Sequence, residues 1–330
     1  MHWGEPICAL AVIALVAGCG GAGGSMPPAS GAPGPLFSPS WMLESASNSN
    51  LLYVSDIGAE TVDVFTYPKG KLVGTLTGFT EPNGECVDKT GNVFITNTYA
   101  STILEYAHGS AKLKATLNDA SYRPVGCAVD PTTGDLAGTN FGFDTGGLAI
   151  YKHAKGKPSL HPGGVLDQVY YCSCDDRGDL FVDGFPDTEP YLSLEEYDPR
   201  FFLHSVALSV EGGWPGGVQW DGKYLAVGDQ YANKFEKSQT DRNVIYKVRV
   251  SGSTGTVVET AGLNDAGDIS QFWIRGKNVI GPDAENEVVG YWNYPTGGDA
   301  TKVLLFDFYE PVGATVSLAV PHGSVRRKSK

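Results

Sequence analysis

A repeat constrains this chain more than its composition does. Gly91, Gly134, Gly178, Gly222 and Gly276 each stand at the head of a short apolar run, NVFITN, DLAGTN, DLFVDG, KYLAVGD and KNVIGPD, and Asn50 opens the equivalent LLYVSD. Successive spacings are 41, 43, 44, 44 and 54 residues, the last lengthened by a polar segment near 230–243. Ahead of these runs recur PNGECVD, PVGCAVD, VYYCSCD, PGGVQWD, ISQFWI and PVGATVS. After them come alternating stretches such as TVDVFTYPKG, STILEYAHG and LAIYKHAKG. Alternation with period two marks half-buried strands, and the Gly-bearing breaks between runs mark hairpin turns.

In the copy at 82–106 the order is strand, tight turn, strand, polar loop, strand, and residues 112–117 offer a fourth, more polar strand suited to a sheet edge. Six copies of a four-stranded unit of this length predict an all-β chain, a six-bladed β-propeller with four antiparallel strands per blade. An open β-solenoid would need shorter, more uniform repeats and distinct caps. The last copy, 311–317, holds only a first strand, whereas the chain's first copy begins at Leu51 with a second strand. Pairing 311–317 with the N-terminal strands, about 51–76, closes the ring and removes two exposed sheet edges.

Outside the propeller, 51–318, the reading is of address and tether. Residues 7–16 form an apolar run too short to span a bilayer, and Val16-Ala17-Gly18-Cys19 forms a small-residue cleavage site. Residues 20–40 are rich in Gly, Pro, Ser and Ala and cannot bury enough surface to fold, so 20–50 is expected to be a flexible tether, with 41–50 either packing on the first blade or continuing the linker. Residues 319–330 end in a basic tail. Acidic residues outnumber basic ones 37 to 24, for a net charge of -13, which argues against nucleic acid or an anionic membrane surface as partner.

Loops joining second to third strands and loops leading into first strands open on one face around the channel, where propeller function is expected. The first set brings Asp56, Asn97, Asn140, Asp183, Asp229 and Asp283. The second brings Asn83, Glu85, Tyr170 and Trp214. Recurrent Asp and Asn also have a plain use, satisfying turn backbone, while as a ring of oxygen ligands they suit Ca2+ or another divalent cation. Phe141 and Phe143, with Phe185, Tyr191, Tyr231 and Phe235, sit among Asp and Glu on longer loops. Such rings suit a sugar or peptide, or simply anchor their own loops.

Of the cysteines, Cys86, Cys127, Cys172 and Cys174 fall in innermost strands, and no His cluster accompanies them to form a zinc site. Aligned on Asp88 and Asp130, Cys86 and Cys127 lie one position apart, hence on opposite faces of adjacent blades and able to pair. No nucleophile elbow or nucleophile–base pair is visible, and His108, His153 and His161 lie in outer, polar parts of the repeats.

The segment ending at Cys19 resembles the lipobox of bacterial lipoproteins, although residues 1–6 carry Glu5 and no Lys or Arg. That resemblance implies acylation of Cys19 and export to the cell envelope, with Gly20 rather than Asp favouring the outer membrane. The blade pattern P-x-G-x-x-V-D, turn, Gly, apolar strand, Asn/Asp resembles the NHL-repeat propellers and the gluconolactonase, senescence-marker and strictosidine-synthase group. Those lactonases hold a divalent metal with Glu, Asn and Asp, which points to Asn83 and Glu85, but Val125, Gly216 and Val312 replace the Asn in other copies. The expectation is a lipid-anchored, non-catalytic module for an envelope protein, glycan or small molecule, the alternative being a metal-dependent lactonase or hydrolase.

Overall fold

Extended, β-branched and aromatic runs punctuated by Gly turns form strands almost throughout the computed structural model, which describes residues 38–119, 122–142, 147–186, 191–198, 202–232 and 243–320. The signal segment with Cys19, residues 20–37 of the tether, Phe143, Phe235 and the tail from 321 onward lie outside these residues.

The strands are β1 (Trp41–Met42), β2 (Leu51–Asp56), β3 (Thr61–Thr66), β4 (Leu72–Leu76), β5 (Pro82–Val87), β6 (Val93–Asn97), β7 (Thr102–Tyr106) and β8 (Leu113–Asn118). They continue as β9 (Pro124–Val129), β10 (Leu136–Asn140), β11 (Gly147–Tyr151), β12 (Ser159–Pro162), β13 (Leu166–Cys174), β14 (Leu180–Pro186), β15 (Ser193–Asp198) and β16 (Phe202–Leu208). The last are β17 (Pro215–Trp220), β18 (Leu225–Asp229), β19 (Val244–Ser251), β20 (Thr254–Gly262), β21 (Trp273–Arg275), β22 (Asn278–Asp283), β23 (Val288–Asn293), β24 (Lys302–Leu304) and β25 (Pro311–Ser317).

Antiparallel meanders β5 to β8, β9 to β12 and β21 to β24 are separate four-stranded sheets. An eight-stranded sheet combines the meanders β13 to β16 and β17 to β20, whose outer edges meet in a short parallel pairing, Ala207 with Thr254 and Leu208 with Gly255. The remaining sheet runs β1-β4-β3-β2-β25, so the C-terminal strand pairs with the N-terminal one over Leu51–Ser317 to Asp56–Pro311. First strands pack side by side in a cycle, β25 on β5, β5 on β9, β9 on β13, β13 on β17, β17 on β21 and β21 on β25.

Residues 41–50 are part of the folded body and not of the tether. Trp41 and Met42 add a strand to the apolar edge of β4, and the following 3-10 turn, Glu44–Asn48, buries Ala46 completely. Covering an edge in this way removes a template for pairing with other chains. The long last spacing also has a second source, because β19 and β20 are 8 and 9 residues long.

Recurring residues do recurring mechanical work. Pro82 pairs with Asn97, Pro124 with Asn140, Pro215 with Asp229 and Pro311 with Asp56, each beside a register shift. Proline is tolerated at the opening of a strand, where no ladder N–H is required. The glycine that follows allows neighbouring first strands to approach backbone to backbone: a Cβ on Gly126 would stand 2.6 Å from the Tyr170 carbonyl oxygen, and one on Gly217 would stand 2.9 Å from the Phe272 nitrogen. Asp88, Asp130, Asp175 and Asp221 accept backbone N–H groups two to four residues ahead, at 2.8 Å for Thr90, 2.6 Å for Thr132, 2.8 Å for Arg177 and 2.8 Å for Lys223. These are Asx turns that fix each first hairpin.

The core lies between meanders. Tyr53, Val64, Ile95 and Leu104 share one apolar cluster, Phe94, Ile103, Leu136 and Tyr151 another, and Val54, Ile280, Val289 and Val316 a third that straddles the chain's two ends. Cys86 and Cys127 form a disulfide between β5 and β9, with Cα atoms 5.6 Å apart and a sequence separation of 41. A link closing a loop of this size contributes about 4 kcal/mol by limiting the unfolded chain. Cys172 is a buried free thiol and Cys174 a half-buried one.

Candidate functional site

Antiparallel hairpins place the end of every second strand beside the start of the matching first strand, and these ends define what we call the loop face. The acidic and amide residues gathered there turn inward. Asp56, Asn97, Asn140, Asp183, Asp229 and Asp283 are all buried, none more than 4% exposed. Asp56 accepts the N–H groups of Ala59, Tyr309 and Glu310 at 2.9, 2.7 and 3.0 Å. Asn97 accepts Thr80 N–H at 2.6 Å, and Asp283 accepts Gly267 and Asn286 N–H at 2.9 and 3.1 Å. Asn140 lies beside the buried Asp119 carboxyl, which burial pushes up to about 6. Asp56, Asn97, Asp229 and Asp283 thus clamp the loop that enters the matching first strand, the turn use of Asp and Asn, while the buried Asn140 Oδ1 and Asp183 Oδ2 have no hydrogen-bond partner among the described residues.

Asp183 is completely buried beneath Tyr170 and Tyr171, and accepts the Tyr171 N–H at 2.8 Å. Burial pushes its pKa well above the usual carboxylate range, more than the Tyr171 N–H pulls it down. Asp229 serves four donors: Oδ1 accepts the Trp214 and Tyr231 N–H groups at 2.9 and 3.0 Å, while Oδ2 accepts Gly213 N–H at 2.7 Å and the Tyr246 hydroxyl at 3.3 Å.

What this scaffold presents is aromatic. Phe141 meets Tyr170 edge-on at 5.4 Å between centroids, Tyr170 meets Phe185 at 5.7 Å, Phe185 meets Trp214 at 4.7 Å, and Trp214 meets Tyr231 at 6.2 Å. Edge-to-face contacts at these distances are attractive and hold each ring against the next. Five rings thus form one arc across three neighbouring meanders. Phe185 is buried, Phe141, Tyr170 and Tyr231 are half-buried, and Trp214 is 38% exposed. A cavity of about 320 Å³ opens beside the arc, walled by Trp214, Gln230, Tyr231 and Asp268. The same face carries exposed Tyr99, with the Arg123 guanidinium 5.0 Å above its ring, and exposed Tyr309. Gln230 and Tyr309 escape sequence reasoning, although Tyr309, like Trp214, sits just ahead of the proline that opens a first strand.

The two proposed metal-binding side chains sit in different surroundings. Asn83 is half-buried with its Oδ1 free of any hydrogen bond among the described residues. Glu85 instead points into the wall between sheets, completely buried, accepting the Ser55 hydroxyl at 2.7 Å. Among the described residues no three His, Cys, Asp or Glu side chains are grouped to hold a metal ion.

Burial pushes the Glu85 carboxyl up from 4.5 to about 8, more than its bonds to Ser55 and Thr315 pull it down. The folded chain therefore keeps a proton that the unfolded chain releases, and stability falls as pH rises from about 4.5 toward about 8. Glu85→Gln removes that proton, so its thermal midpoint should vary less over this range and exceed the wild type at the alkaline end. Parallel midpoint curves for the two proteins, followed by circular dichroism, would contradict the assignment.

No family model and no curated protein matches the chain. Solved structures do. One chain of a nidogen/laminin complex matches with a TM-score of 0.64 at 13% identity, covering 82% of this chain and 99% of that one. A functionally unknown protein from Desulfotomaculum acetoxidans matches at 0.58 and 10%, covering 82% and 99%, and hydrazine synthase from Kuenenia stuttgartiensis at 0.56 and 12%, covering 75% and 74%. At such identities the likeness speaks for the fold alone, and the fold is a β-propeller.

Proposed function

We propose that this chain is a six-bladed propeller acting as a non-catalytic protein-interaction module, with the aromatic arc of the loop face as its docking surface. The cycle of first strands and the apolar clusters between successive meanders support the count of six, the eight-stranded sheet being two blades whose outer edges touch. The arc is the observation that carries the function. Tyr, Trp and Arg dominate the energetic centres of protein interfaces, and Tyr170 and Trp214 belong to the arc while the Tyr99–Arg123 pair lies on the same face. A nidogen/laminin complex among the structural neighbours is itself a protein–protein assembly. The lipobox-like segment adds an address: Cys19 carries the acyl chains, and the partner is another component of the cell envelope.

Two experiments test this reading. A photo-crosslinking residue at position 214 should capture one discrete envelope protein, and the same residue at Lys114 on an outer edge should not. Trp214→Ala should then weaken that partner's binding at least about tenfold while lowering the thermal midpoint by no more than about 5 °C. Equal capture from both positions, or unchanged affinity, rejects the arc as the docking surface. Cys19→Ser should abolish incorporation of labelled fatty acid, and undiminished labelling rejects the anchor.

A further inference from the structure

The opposite end of the channel, where the first hairpins turn, is the larger concavity. Three cavities of about 220, 650 and 780 Å³ meet there and share Val87, Asp176 and Trp273 in their walls. The smallest reaches up between the first strands to Gln271, whose carboxamide accepts the N–H groups of Glu85 and Ala314 at 3.0 and 3.1 Å and donates to the Glu85 carbonyl at 2.9 Å. That clamp ties β5 to β25 and gives the concavity a polar floor.

Two half-buried indoles, Trp220 and Trp273, line the mouth. Their strands are locked together, because Gln219 donates to the Ile274 carbonyl at 3.1 Å and accepts the Ile274 N–H at 2.5 Å. Ser173 Oγ accepts the Trp220 backbone N–H at 3.0 Å. The Trp220 indole N–H is nevertheless buried without an acceptor among the described residues. Indole N–H groups ordinarily find a partner when buried, and leaving a donor unpaired is costly. The donor itself is closed off from solvent, so what the platform offers a ligand is its ring faces beside a polar floor.

The chemistry of the walls selects the ligand. The carboxylates of Asp88 and Asp130 are spent on their own turns, which removes the acidic cluster that a cation would need. The rim carries both signs, Asp176 against Lys89 and Arg275, which does not favour an anion. A sugar ring matches what remains. Its C–H face lies on an indole, and its hydroxyls both donate and accept.

The geometry points to a saccharide-binding site at the hairpin end of the channel, built by Trp220, Trp273 and Asp176 and independent of the loop face. The probes are cellotetraose, maltotetraose and chitotetraose, titrated into the full chain to about 10 mM while tryptophan fluorescence and saturation-transfer NMR are followed. At least one should bind, indifferent to salt, with its ring protons saturated from indole resonances. Trp220→Ala removes one face of the platform and should weaken binding severalfold. Trp273→Ala should weaken it at least about tenfold, and Trp214→Ala on the other face should leave it unchanged. The wild-type NMR result keeps the test decisive should either tryptophan variant fail to fold. The inference is overturned if none of the three binds, if Trp220→Ala folds and leaves affinity untouched, or if binding fades with salt and with Lys89→Ala and Arg275→Ala, the signature of an anion site.

Discussion

Gly313→Val is expected to destabilise the protein by about 3 kcal/mol, lowering the thermal midpoint by roughly 6–12 °C. Gly313 lies in β25, the strand that joins the two ends of the chain, and its neighbour across the channel wall is the backbone of β5. A Cβ there would overlap the Asn83 carbonyl oxygen and would also meet Ser55 Cβ at 3.2 Å. The obstructing atom is main chain, so no rotamer change relieves it. Either β25 leaves β2, exposing two sheet edges, or β5 moves and strains the Gln271 clamp that binds it. Gly262→Ala in β20 is the control, since the nearest atom to its Cβ is Asn264 Oδ1 at 3.9 Å, and its stability should stay within about 0.5 kcal/mol. Equal midpoints for the two variants, measured by calorimetry, would mean that first strands are not packed backbone to backbone at this joint.

The same glycine explains why the architecture is legible in the chain. A proline opening the first strand, a glycine facing the next strand and an aspartate closing the hairpin each have one mechanical task, and a task repeated at a fixed interval shows as a repeat. Side-chain direction is less legible. Period two tells which residues share a face, but the register shift between Pro82 and Glu85 breaks that parity and turns the Glu85 carboxyl to Ser55 and away from the mouth. The ends of second strands mislead for another reason: Asp and Asn serve loop backbones and cations with the same oxygens, and only the position of the neighbouring N–H groups separates the two uses. Of the aromatic residues proposed from the chain, Phe141, Tyr170 and Trp214 do come together, because they occupy equivalent ends of neighbouring repeats. The hairpin mouth is less legible: Val87 and Trp220 hold the same place in their repeats, just before the turn aspartate, but the residue type there changes from copy to copy, so no recurring side chain marks the site.

Asp229 joins stability to the docking surface, and its removal is the second large effect. Asp229→Ala strips the acceptor from Gly213, Trp214, Tyr231 and Tyr246 at once, leaving three backbone N–H groups and a hydroxyl in a site that is 1% exposed. Hydrogen bonds to a charged group each contribute about 1.5–3 kcal/mol, but the loop can swing some donors to water, so the net loss is set at about 3–4 kcal/mol. Asp229→Asn should lose less, because its amide oxygen keeps the Trp214 and Tyr231 bonds while its NH2 group faces the Gly213 N–H without an acceptor between them. The optical readout separates this from general loosening: Trp214 and Tyr231 are held by one oxygen, so in Asp229→Ala the Trp214 emission should shift to the red well below the unfolding midpoint, and in Asp229→Asn it should not. Loop-face binding should follow the emission and not the midpoint. If Asp229→Ala keeps the wild-type emission and stability, the carboxylate is not what holds the arc in place.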